Sequence, residues 1–320
     1  MADYKAIKGR HFQSISSDNA TLVVGDIWYN TTLGKVRVAK LPAGAWSSGG
    51  NLNAGGQSGG GCGLQTAALF VGRYTGSNLA NVELYDGSSW TEVGDINTNK
   101  RAHAASGSST AALTYGGHPP SYTGNTELWN GSSWTEVADL NTGRSSMGGA
   151  GGPAGSTASL CAGGNVSDSA QGVVEQWNGT SWTEVADLGT ARYQIGAFGT
   201  TSAAICVGSS PGVCESWDGS SWTEVNNQNT GRIGFGVAGV QTDGLISGGN
   251  ASPHKLVEQW DGTSWTEVAD LSTADNYDQS AAGNTGTQAV ISFGGGSGAP
   301  YPVATEEWDA AVTAANVTVS

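Results

Sequence analysis

The segment WNGTSWTEV, residues 177–185, decides how the whole chain is interpreted, because it is one of five near-copies of a single motif. The other copies are YDGSSWTEV from Tyr85, WNGSSWTEV from Trp129, WDGSSWTEV from Trp217 and WDGTSWTEV from Trp260. Their second aromatic residues lie 44, 48, 40 and 43 residues apart: Trp90, Trp134, Trp182, Trp222 and Trp265. A four-stranded propeller blade has this period, whereas ankyrin and leucine-rich repeats are shorter.

Each repeat is predicted to contain four strands, and residues 141–188 illustrate them. The predicted strands are Met147–Ala150, Ala158–Ala162, Val173–Trp177 and Ser181–Ala186. The turn from Asn178 to Ser181 contains Asn-Gly, which supplies the positive φ that a tight hairpin needs. This turn places Trp177 opposite Trp182, and such a cross-strand aromatic pair in every blade would fix the hairpin register.

The two ends of the chain each contain half of a sixth repeat. Trp308, in EEWDA, matches a third strand but has no fourth-strand Trp after it, since position 313 is Thr. Trp46 matches a fourth strand that has no third strand before it. We therefore expect residues 41–52 to complete the sixth blade against residues 302–309, which closes the ring. The predicted fold is all-β: a six-bladed propeller over residues 41–312, closed by an N-terminal strand, with a short β-hairpin module in residues 1–40 and a C-terminal tail in residues 313–320.

Composition and charge agree with many short strands and exclude some functions. The chain has 51 Gly, 12 Trp and only 12% charged residues, and no long window has helical apolar spacing. The net charge of -14 argues against a nucleic-acid partner, because a phosphate-binding surface needs excess Lys and Arg. No apolar run reaches the length of a membrane span, and Met1 to Arg10 lacks the apolar core of a secretory signal, so neither membrane insertion nor secretion is expected.

The four cysteines, Cys62, Cys161, Cys206 and Cys214, contain no C-x-x-C pattern. They therefore indicate neither a zinc site nor a disulfide framework. Cys206 and Cys214 could face each other on neighbouring strands, and free buried thiols are the other interpretation.

Three recurring features resemble the kelch family of propellers over about residues 41 to 312. A glycine pair ends the second strand, Glu-x-Trp or Glu-x-Tyr follows, and a second Trp comes about five residues later; the glycine pairs are Gly116-Gly117, Gly163-Gly164, Gly248-Gly249 and Gly294-Gly295. Blades one and four depart from the pattern, with Gly72-Arg73 and Gly208-Ser209. The resemblance implies a kelch-like propeller and leaves the local geometry of these two blades open.

The segment GDIWYNTTLGKVRVAK, residues 25–40, is predicted to form two strands around a turn at Thr31 to Gly34. It resembles short segments of tail-fibre and other structural proteins of bacteriophages, and regular Gly-rich and Trp-rich kelch arrays are similar to virion proteins of marine phages. The resemblance implies a virion protein, made in the host cytoplasm and carried on the extracellular particle. Residues 1–40 would anchor it to other virion proteins.

No catalytic or metal-binding arrangement is recognisable. The four histidines, His11, His103, His118 and His254, have no ligand spacing, although the kelch family includes the copper enzyme galactose oxidase. Two rows of carboxylates recur in the blades, which indicates a structural role; they are Glu83, Glu127, Glu175, Glu215, Glu258 and Glu306, and Glu92, Glu136, Glu184, Glu224 and Glu267. We expect neither enzyme activity nor a cofactor.

One recurring position could bind a ligand. The position that opens the first strand is occupied, in blades one to six, by Gly56, Lys100, Arg144, Arg192, Arg232 and Asp275. Four cations near one mouth of the channel could capture carboxylate or sulfate groups of a surface polysaccharide. In the alternative interpretation, each cation pairs with the Glu of its own blade and orders a loop.

The loops that join second to third strands vary most, and in kelch propellers they lie on that same face. Variation on a constant frame is typical of loops that carry recognition. Tyr74, Tyr122 and Tyr301 are candidates for stacking on sugar rings, or are ordinary packing residues of the loops. With His118 and His254, which lie in the same loops, and with the four cations, they complete the predicted ligand-binding set.

These features favour a phage virion protein whose outward-facing propeller binds host-surface glycan or protein, as a tail fibre or adhesin does. One alternative is a capsid or tail decoration protein without a receptor. Another is a kelch-type adaptor that binds a peptide in the channel mouth, which would suit the cations but leaves residues 25–40 without a role. An oxidase or lyase is the function that the sequence favours least.

Overall fold

The computed structural model describes residues 13–18, 26–40, 44–118, 121–209, 211–273, 277–283, 286, 289–310 and 313–316. Strands dominate these residues, and a single 3-10 turn at Gly152–Ala154 is the one helical element within them. The prediction of an all-β fold is confirmed. The chain forms two compact units, residues 1–44 with 310–320, and residues 45–309.

The first unit contains a four-stranded sheet in which Ile27–Asn30 and Lys35–Lys40 form the central hairpin. This hairpin was predicted, and its strands pair antiparallel around residues 31–34. Gln13–Ile15 pairs parallel with one side of the hairpin, and Thr313–Asn316 pairs antiparallel with the other. Residues 313–316 therefore belong to a strand of this unit.

The second unit is built from six four-stranded antiparallel sheets, which we number along the chain. Sheet 1 is Gly60–Leu64, Ala67–Tyr74, Asn78–Tyr85 and Trp90–Val93. Sheet 2 is Ala104–Ser108, Ala111–Tyr115, Thr126–Trp129 and Trp134–Val137. Sheet 3 is Gly148–Ala150, Ser159–Ala162, Val174–Trp177 and Trp182–Glu184. Sheet 4 is Gly196–Thr200, Ala203–Val207, Cys214–Trp217 and Trp222–Val225. Sheet 5 is Phe235–Val240, Asp243–Gly248, Val257–Trp260 and Trp265–Glu267. Sheet 6 is Ser280–Ala282, Ala289–Phe293, Thr305–Asp309 and Ala45–Ser48.

The last strand of sheet 6 comes from the start of the unit. Ala45–Ser48 pairs antiparallel with Thr305–Asp309, and Trp46 lies opposite Trp308 in the register, as the sequence predicted. Their ring centroids are 5.3 Å apart. The equivalent aromatic pairs of the other five sheets have centroids 5.0–5.5 Å apart. The same aromatic pairing therefore recurs in all six sheets, and in sheets 1 to 5 it lies in a hairpin.

The turn of this hairpin is held by its first residue. In sheet 3, the Asn178 Oδ1 accepts hydrogen bonds from the backbone N–H groups of Thr180 and Ser181, each at 2.9 Å. Gly179 has a φ of +96°, which glycine adopts without a steric penalty. The Asn side chain and the Gly backbone together close the loop, so that Trp177 faces Trp182.

The first strands of the six sheets are neighbours in cyclic order, including the first strand of sheet 6 beside that of sheet 1. Just before each first strand, one residue has a left-handed backbone with φ between 52° and 65°. Its N–H donates to the carbonyl of its counterpart in the preceding sheet, at 2.7–3.3 Å. The six residues are Ser58, Ala102, Ser146, Gln194, Gly234 and Asp278, and Ser58 donates to Asp278. These bonds form a cycle with no free end.

The hydrophobic core lies between consecutive sheets. Each cluster of buried apolar side chains combines two neighbouring sheets, such as Leu160 of sheet 3 with Trp217 of sheet 4. Phe293 of sheet 6 packs against Trp90 of sheet 1 in the same way. All four cysteines are buried and free, so the interpretation as free thiols is confirmed and Cys206 and Cys214 are not bonded.

The fourth-strand tryptophans differ in whether their indole N–H has a partner. Trp182 donates to the Thr126 hydroxyl at 3.2 Å, and Trp90 donates to the Thr305 hydroxyl at 2.9 Å. Each Thr begins the third strand of the preceding sheet. The residue at that position is Val82 or Val174 for two other indoles, and the buried Nε1 atoms of Trp134 and Trp222 have no hydrogen-bond partner. For Trp265 it is Cys214, whose sulfur is only a weak acceptor.

Replacing Val174 with Thr should therefore stabilise the protein, by about 0.5–1.5 kcal/mol in the free energy of unfolding. The new hydroxyl would accept from Trp222 and donate to the Gly172 carbonyl, as Thr126 donates to Gly124 at 3.0 Å. Urea denaturation followed by Trp fluorescence measures the change. The reverse substitution, Thr126→Val, should destabilise by a similar amount. A Val174→Thr protein less stable than the wild type would show that the indole gains no acceptor.

Candidate functional site

The candidate site is the surface formed by the loops between second and third strands, which we call the variable-loop face. Its described residues are 75–77, 116–118, 121–125, 163–173, 208–209, 211–213, 249–256 and 294–304. Backbone hydrogen bonds tie these loops to the segments that precede the first strands. In sheet 2, for example, Gly117 N–H donates to the Arg144 carbonyl at 2.8 Å, and His118 N–H donates to the Arg101 carbonyl at 2.9 Å. The face is therefore built on a rigid frame.

The four cations of the predicted ring lie beneath this face rather than on it. Lys100, Arg144, Arg192 and Arg232 are at most 2% exposed. Each pairs with the third-strand glutamate of its own repeat: Glu127, Glu175, Glu215 and Glu258 respectively. The pairing agrees with the alternative interpretation of this position, in which each cation pairs with the Glu of its own blade. Asp275, assigned to the same position in the sixth repeat, lies outside the described residues.

Burial encloses these side chains, and in the third repeat the cation is already engaged by several acceptors. Arg144 Nη1 lies 2.5 Å from Glu175 Oε1, and its other donors bond the carbonyls of Thr142, Gly163 and Cys161. Burial lowers the pKa of Lys100 to about 8, although the carboxylate of Glu127 opposes the shift. An anionic ligand would have to displace the resident glutamate, so binding of an anion by these four residues remains a prediction.

The partner glutamates explain why a cation recurs. The Glu175 carboxylate also accepts the backbone N–H groups of Asn141 and Thr142, at 2.7 and 3.3 Å. These two residues lie in the segment that enters the third repeat, and the equivalent glutamates of the other five sheets accept amides in the same way. The carboxylate thus joins the entering segment to its sheet, and the cation neutralises a buried charge.

Sheet 1 keeps this arrangement with the residues exchanged. Gly56 occupies the position of the cation, and Arg73, from the end of the second strand, pairs with Glu83 at 2.7 Å. A Cβ atom at Gly56 would lie 2.6 Å from the Cδ of Arg73. In sheet 3, the side chain of Arg144 crosses Gly164, the second residue of the glycine pair. In sheet 1 the Arg and the Gly of this contact have therefore exchanged positions.

Three of the predicted ligand-binding residues come together on the variable-loop face. Arg101 lies over the Tyr74 ring, with its Cζ 4.3 Å from the ring centroid. The rings of His118 and Tyr122 pack edge to face, with centroids 4.9 Å apart. The Tyr122 hydroxyl accepts the Asp168 N–H at 3.4 Å. The His118 N–H donates to the Arg101 carbonyl, which links the two groups. We call these five residues of three consecutive repeats the aromatic strip; three lie in the loops, Tyr74 ends a second strand and Arg101 precedes a first strand.

Tyr301 and His254 lie apart from the aromatic strip. The Tyr301 carbonyl would be 2.3 Å from a Cβ atom at Gly55, so this loop packs directly on the backbone at the start of the first repeat. His254 lies in the loop of the fifth repeat, where its N–H donates to the Ala251 carbonyl at 2.7 Å. Both side chains are partly exposed. The predicted set thus divides into a strip, two separate loop residues and four buried cations.

A cavity of about 120 Å³ lies between the first strands of the six sheets. Six equivalent residues surround it: Gly59, His103, Met147, Ile195, Phe235 and Gln279. His103 is 6% exposed, and neither ring nitrogen has a hydrogen-bond partner of good geometry. Burial, together with the nearby charge of Lys100, lowers the pKa of His103 to about 3, while the Val71 carbonyl opposes the shift. The ring is therefore neutral at neutral pH and offers no positive charge to an anion.

Sequence reasoning missed Asp168 on the variable-loop face, and Arg101 and Tyr193 in the segments that precede the first strands. Arg101 directly follows Lys100, so its position in the repeat was the available signal. Within the described ranges, no group of three His, Cys, Asp or Glu side chains could hold a metal ion. None of the described helical segments has the length and apolarity needed to cross a bilayer. No protein-family model and no curated protein sequence matches the chain.

Proposed function

We propose that residues 45–309 form a six-bladed, kelch-like β-propeller. The main support is the cycle of six backbone hydrogen bonds that runs from Ser58 through every repeat and returns from Asp278. The pairing of Ala45–Ser48 with Thr305–Asp309 supplies the second support, because it joins the beginning of the unit to its end within one sheet. A closed ring of sheets leaves no open edge strand between the first and last blades.

We infer that this propeller is the host-binding part of a phage virion protein, and that the variable-loop face carries the ligand site. The support is the aromatic strip, because it brings partly exposed aromatic rings of different loops together on a constant frame. Aromatic rings with neighbouring hydrogen-bonding groups suit sugar rings or protein side chains. The burial of the cations removes the feature that favoured a peptide-binding adaptor.

Charge favours a neutral or cationic ligand over an acidic one. Residues 45–309 contain seven Lys and Arg, of which five are buried in ion pairs. Of the other two, Arg101 stacks on Tyr74, and Lys255 lies 3.9 Å from Asp270. The same residues contain 24 Asp and Glu. This acidic surface repels anions at long range, so the proposed ligand is a neutral glycan or a protein surface.

The first unit is the proposed anchor to other virion proteins. Its hairpin exposes three large apolar side chains, Ile27 at 47%, Tyr29 at 36% and Leu33 at 51%. Ile27 and Tyr29 project from the same face of one strand, since they are two residues apart. An exposed apolar group of this kind is typical of a protein-protein contact.

Immunogold electron microscopy of the particles that carry this chain tests the location. Antibody raised against the recombinant full chain should label the tip of the tail. Labelling of the capsid lattice would replace the receptor-binding role with decoration, and unlabelled particles would overturn the virion assignment.

Glycan-array binding of the full chain tests the ligand site. We expect binding to neutral glycans, and at least tenfold weaker binding after Tyr74→Ala combined with Tyr122→Ala. Lys255→Ala, a change in the loop of the fifth repeat, is the control and should retain binding. Equal binding by the double variant and the wild type would remove the aromatic strip from the site.

A further inference from the structure

A groove of about 390 Å³ crosses the variable-loop face at the fourth repeat. Small-molecule sites usually have volumes of about 300–1,000 Å³, so this groove is large enough for one sugar ring. Its floor and walls include Ala170, Ala191, Tyr193, Ser209, Ile233 and Asn250. The predicted ligand-binding side chains of the aromatic strip are not among them.

The groove exists because neighbouring loops differ in length. In the third repeat, Asn165–Val166 and Ser169–Ala170 form an additional two-stranded hairpin, whose last residue lines one wall. The connection of the fourth repeat, residues 208–213, is shorter than those of its two neighbours, residues 163–173 and 249–256. The fifth repeat supplies the opposite wall through Asn250. A short loop between two longer ones leaves the floor open to solvent.

The side chains in the groove combine an exposed aromatic ring with oriented polar groups. Tyr193 is 38% exposed, which is unusual for an aromatic residue in this chain. Asn250 is fixed, because its Oδ1 accepts the Ile233 N–H at 3.0 Å and its own N–H donates to the Ile233 carbonyl at 3.0 Å. The amide nitrogen of Asn250 and the hydroxyl of Ser209 therefore remain as hydrogen-bonding groups for a ligand.

A second aromatic residue lies next to the groove. Tyr277 of the sixth repeat reaches across the fifth, where a Cβ atom at Gly234 would lie 2.9 Å from its ring. Its hydroxyl accepts a hydrogen bond from Gln194 Nε2 at 3.2 Å. Gln194 lines the groove beside Tyr193. This bond holds the floor of the groove in place from two repeats away.

The charges beneath the groove are neutralised. Arg192 and Arg232 are the two cations nearest its floor, and each is buried against its own glutamate, Glu215 or Glu258. Both also line the groove, and Arg192 Nε and Arg232 Nε and Nη2 are buried without a hydrogen-bond partner, but each guanidinium charge is paired with a glutamate. Together with the acidic surface, this selects against an acidic sugar.

We propose that the groove binds one neutral pyranose ring, which stacks on Tyr193 and is hydrogen-bonded through its hydroxyl groups by Asn250 and Ser209. The apolar C–H face of the sugar would cover the exposed tyrosine ring, and the two polar side chains would set its orientation. This inference rests on the proposed function and assigns it a specific subsite, distinct from the aromatic strip.

Saturation-transfer NMR on the full chain tests this subsite with methyl glycosides as probes. The panel comprises the methyl glycosides of glucose, galactose, mannose, N-acetylglucosamine and glucuronic acid. We expect signal from at least one neutral member and none from the glucuronide. Tyr193→Ala should weaken the binding about tenfold or more, whereas Tyr193→Phe keeps the ring and should stay within about threefold of the wild type.

Lys255→Ala is the control, since it changes a residue of the same face that lies outside both the groove and the aromatic strip, and it should leave the NMR signal unchanged. Signal that survives Tyr193→Ala, stronger signal from the glucuronide, or no signal from any glycoside would each overturn the subsite. The glycan array distinguishes the two proposals. Array binding that persists in Tyr193→Ala and is lost in the Tyr74 and Tyr122 double variant would leave the proposed function intact and remove only this groove.

Discussion

Replacing Arg144 with Met is expected to lower the free energy of unfolding by about 3–5 kcal/mol, because it leaves the Glu175 carboxylate buried without a countercharge. Both side chains are fully buried, and Nη1 of Arg144 lies 2.5 Å from the carboxylate. Met retains most of the aliphatic volume of Arg, so the loss reflects mainly charge and hydrogen bonding. Urea denaturation followed by Trp fluorescence is the measurement, since eleven of the twelve Trp residues lie in residues 45–309.

Two further variants identify the cause of the loss. Lys255→Met removes a cation that is 36% exposed and 3.9 Å from Asp270, and we expect less than about 1 kcal/mol for such a surface pair. Adding Glu175→Gln to Arg144→Met removes the unpaired charge and should recover at least half of the lost stability. A double variant less stable than Arg144→Met alone would show that the uncompensated carboxylate is not the cause.

The recurring strand pattern could be predicted from the sequence because it depends on local spacing. The distance from Trp177 to Trp182 sets the loop length, and a loop of four residues allows one register. The same spacing argument, applied to both ends of the chain, predicted the pairing of Trp46 with Trp308, which the structure confirms. Strand bounds differ by one or two residues, as in the third strand of sheet 3, predicted from Val173 and found from Val174.

Repeat spacing predicts less well whether a side chain points to solvent or into the protein. A cation that recurs at the first-strand position fits both an exposed ring and a set of buried pairs. The recurring glutamate on the third strand was the signal for pairs, but its contact with Arg144 or Arg192 depends on how the entering segment crosses the sheet. Burial of both partners follows from that crossing, which repeat spacing does not determine.

The left-handed residues and the groove also could not be predicted from the sequence. The six left-handed positions hold Ser, Ala, Ser, Gln, Gly and Asp, so residue type gives no common signal there. Non-glycine residues adopt this backbone only where surrounding bonds require it, here the cycle between repeats. The groove beside Tyr193 depends on the relative heights of three loops, including a hairpin at Asn165–Val166 that no sequence pattern predicted.

Exchanging the two unusual residues of sheet 1 should restore the arrangement of the other sheets. Gly56→Arg alone introduces a second cation beside Glu83 and a Cβ atom 2.6 Å from the Arg73 side chain, so we expect a large loss of stability. Arg73→Gly alone leaves Glu83 buried without a countercharge and should cost about 3–5 kcal/mol. In the double variant, the guanidinium introduced at position 56 would pair with Glu83 as Arg144 pairs with Glu175.

The double variant should therefore lie within about 2 kcal/mol of the wild type, the remaining difference including the greater flexibility of a glycine at position 73. Such a result would give a coupling energy of several kcal/mol between two positions 17 residues apart, which is large for a pair in contact. Additive losses would mean that Arg73 is fixed by its own surroundings, such as the Phe70 ring 5.5 Å from its guanidinium. Recovery would instead mean that the fold requires one cation beside Glu83 and accepts it from either position, so that Gly56 and Arg73 are one compensated change rather than two local irregularities.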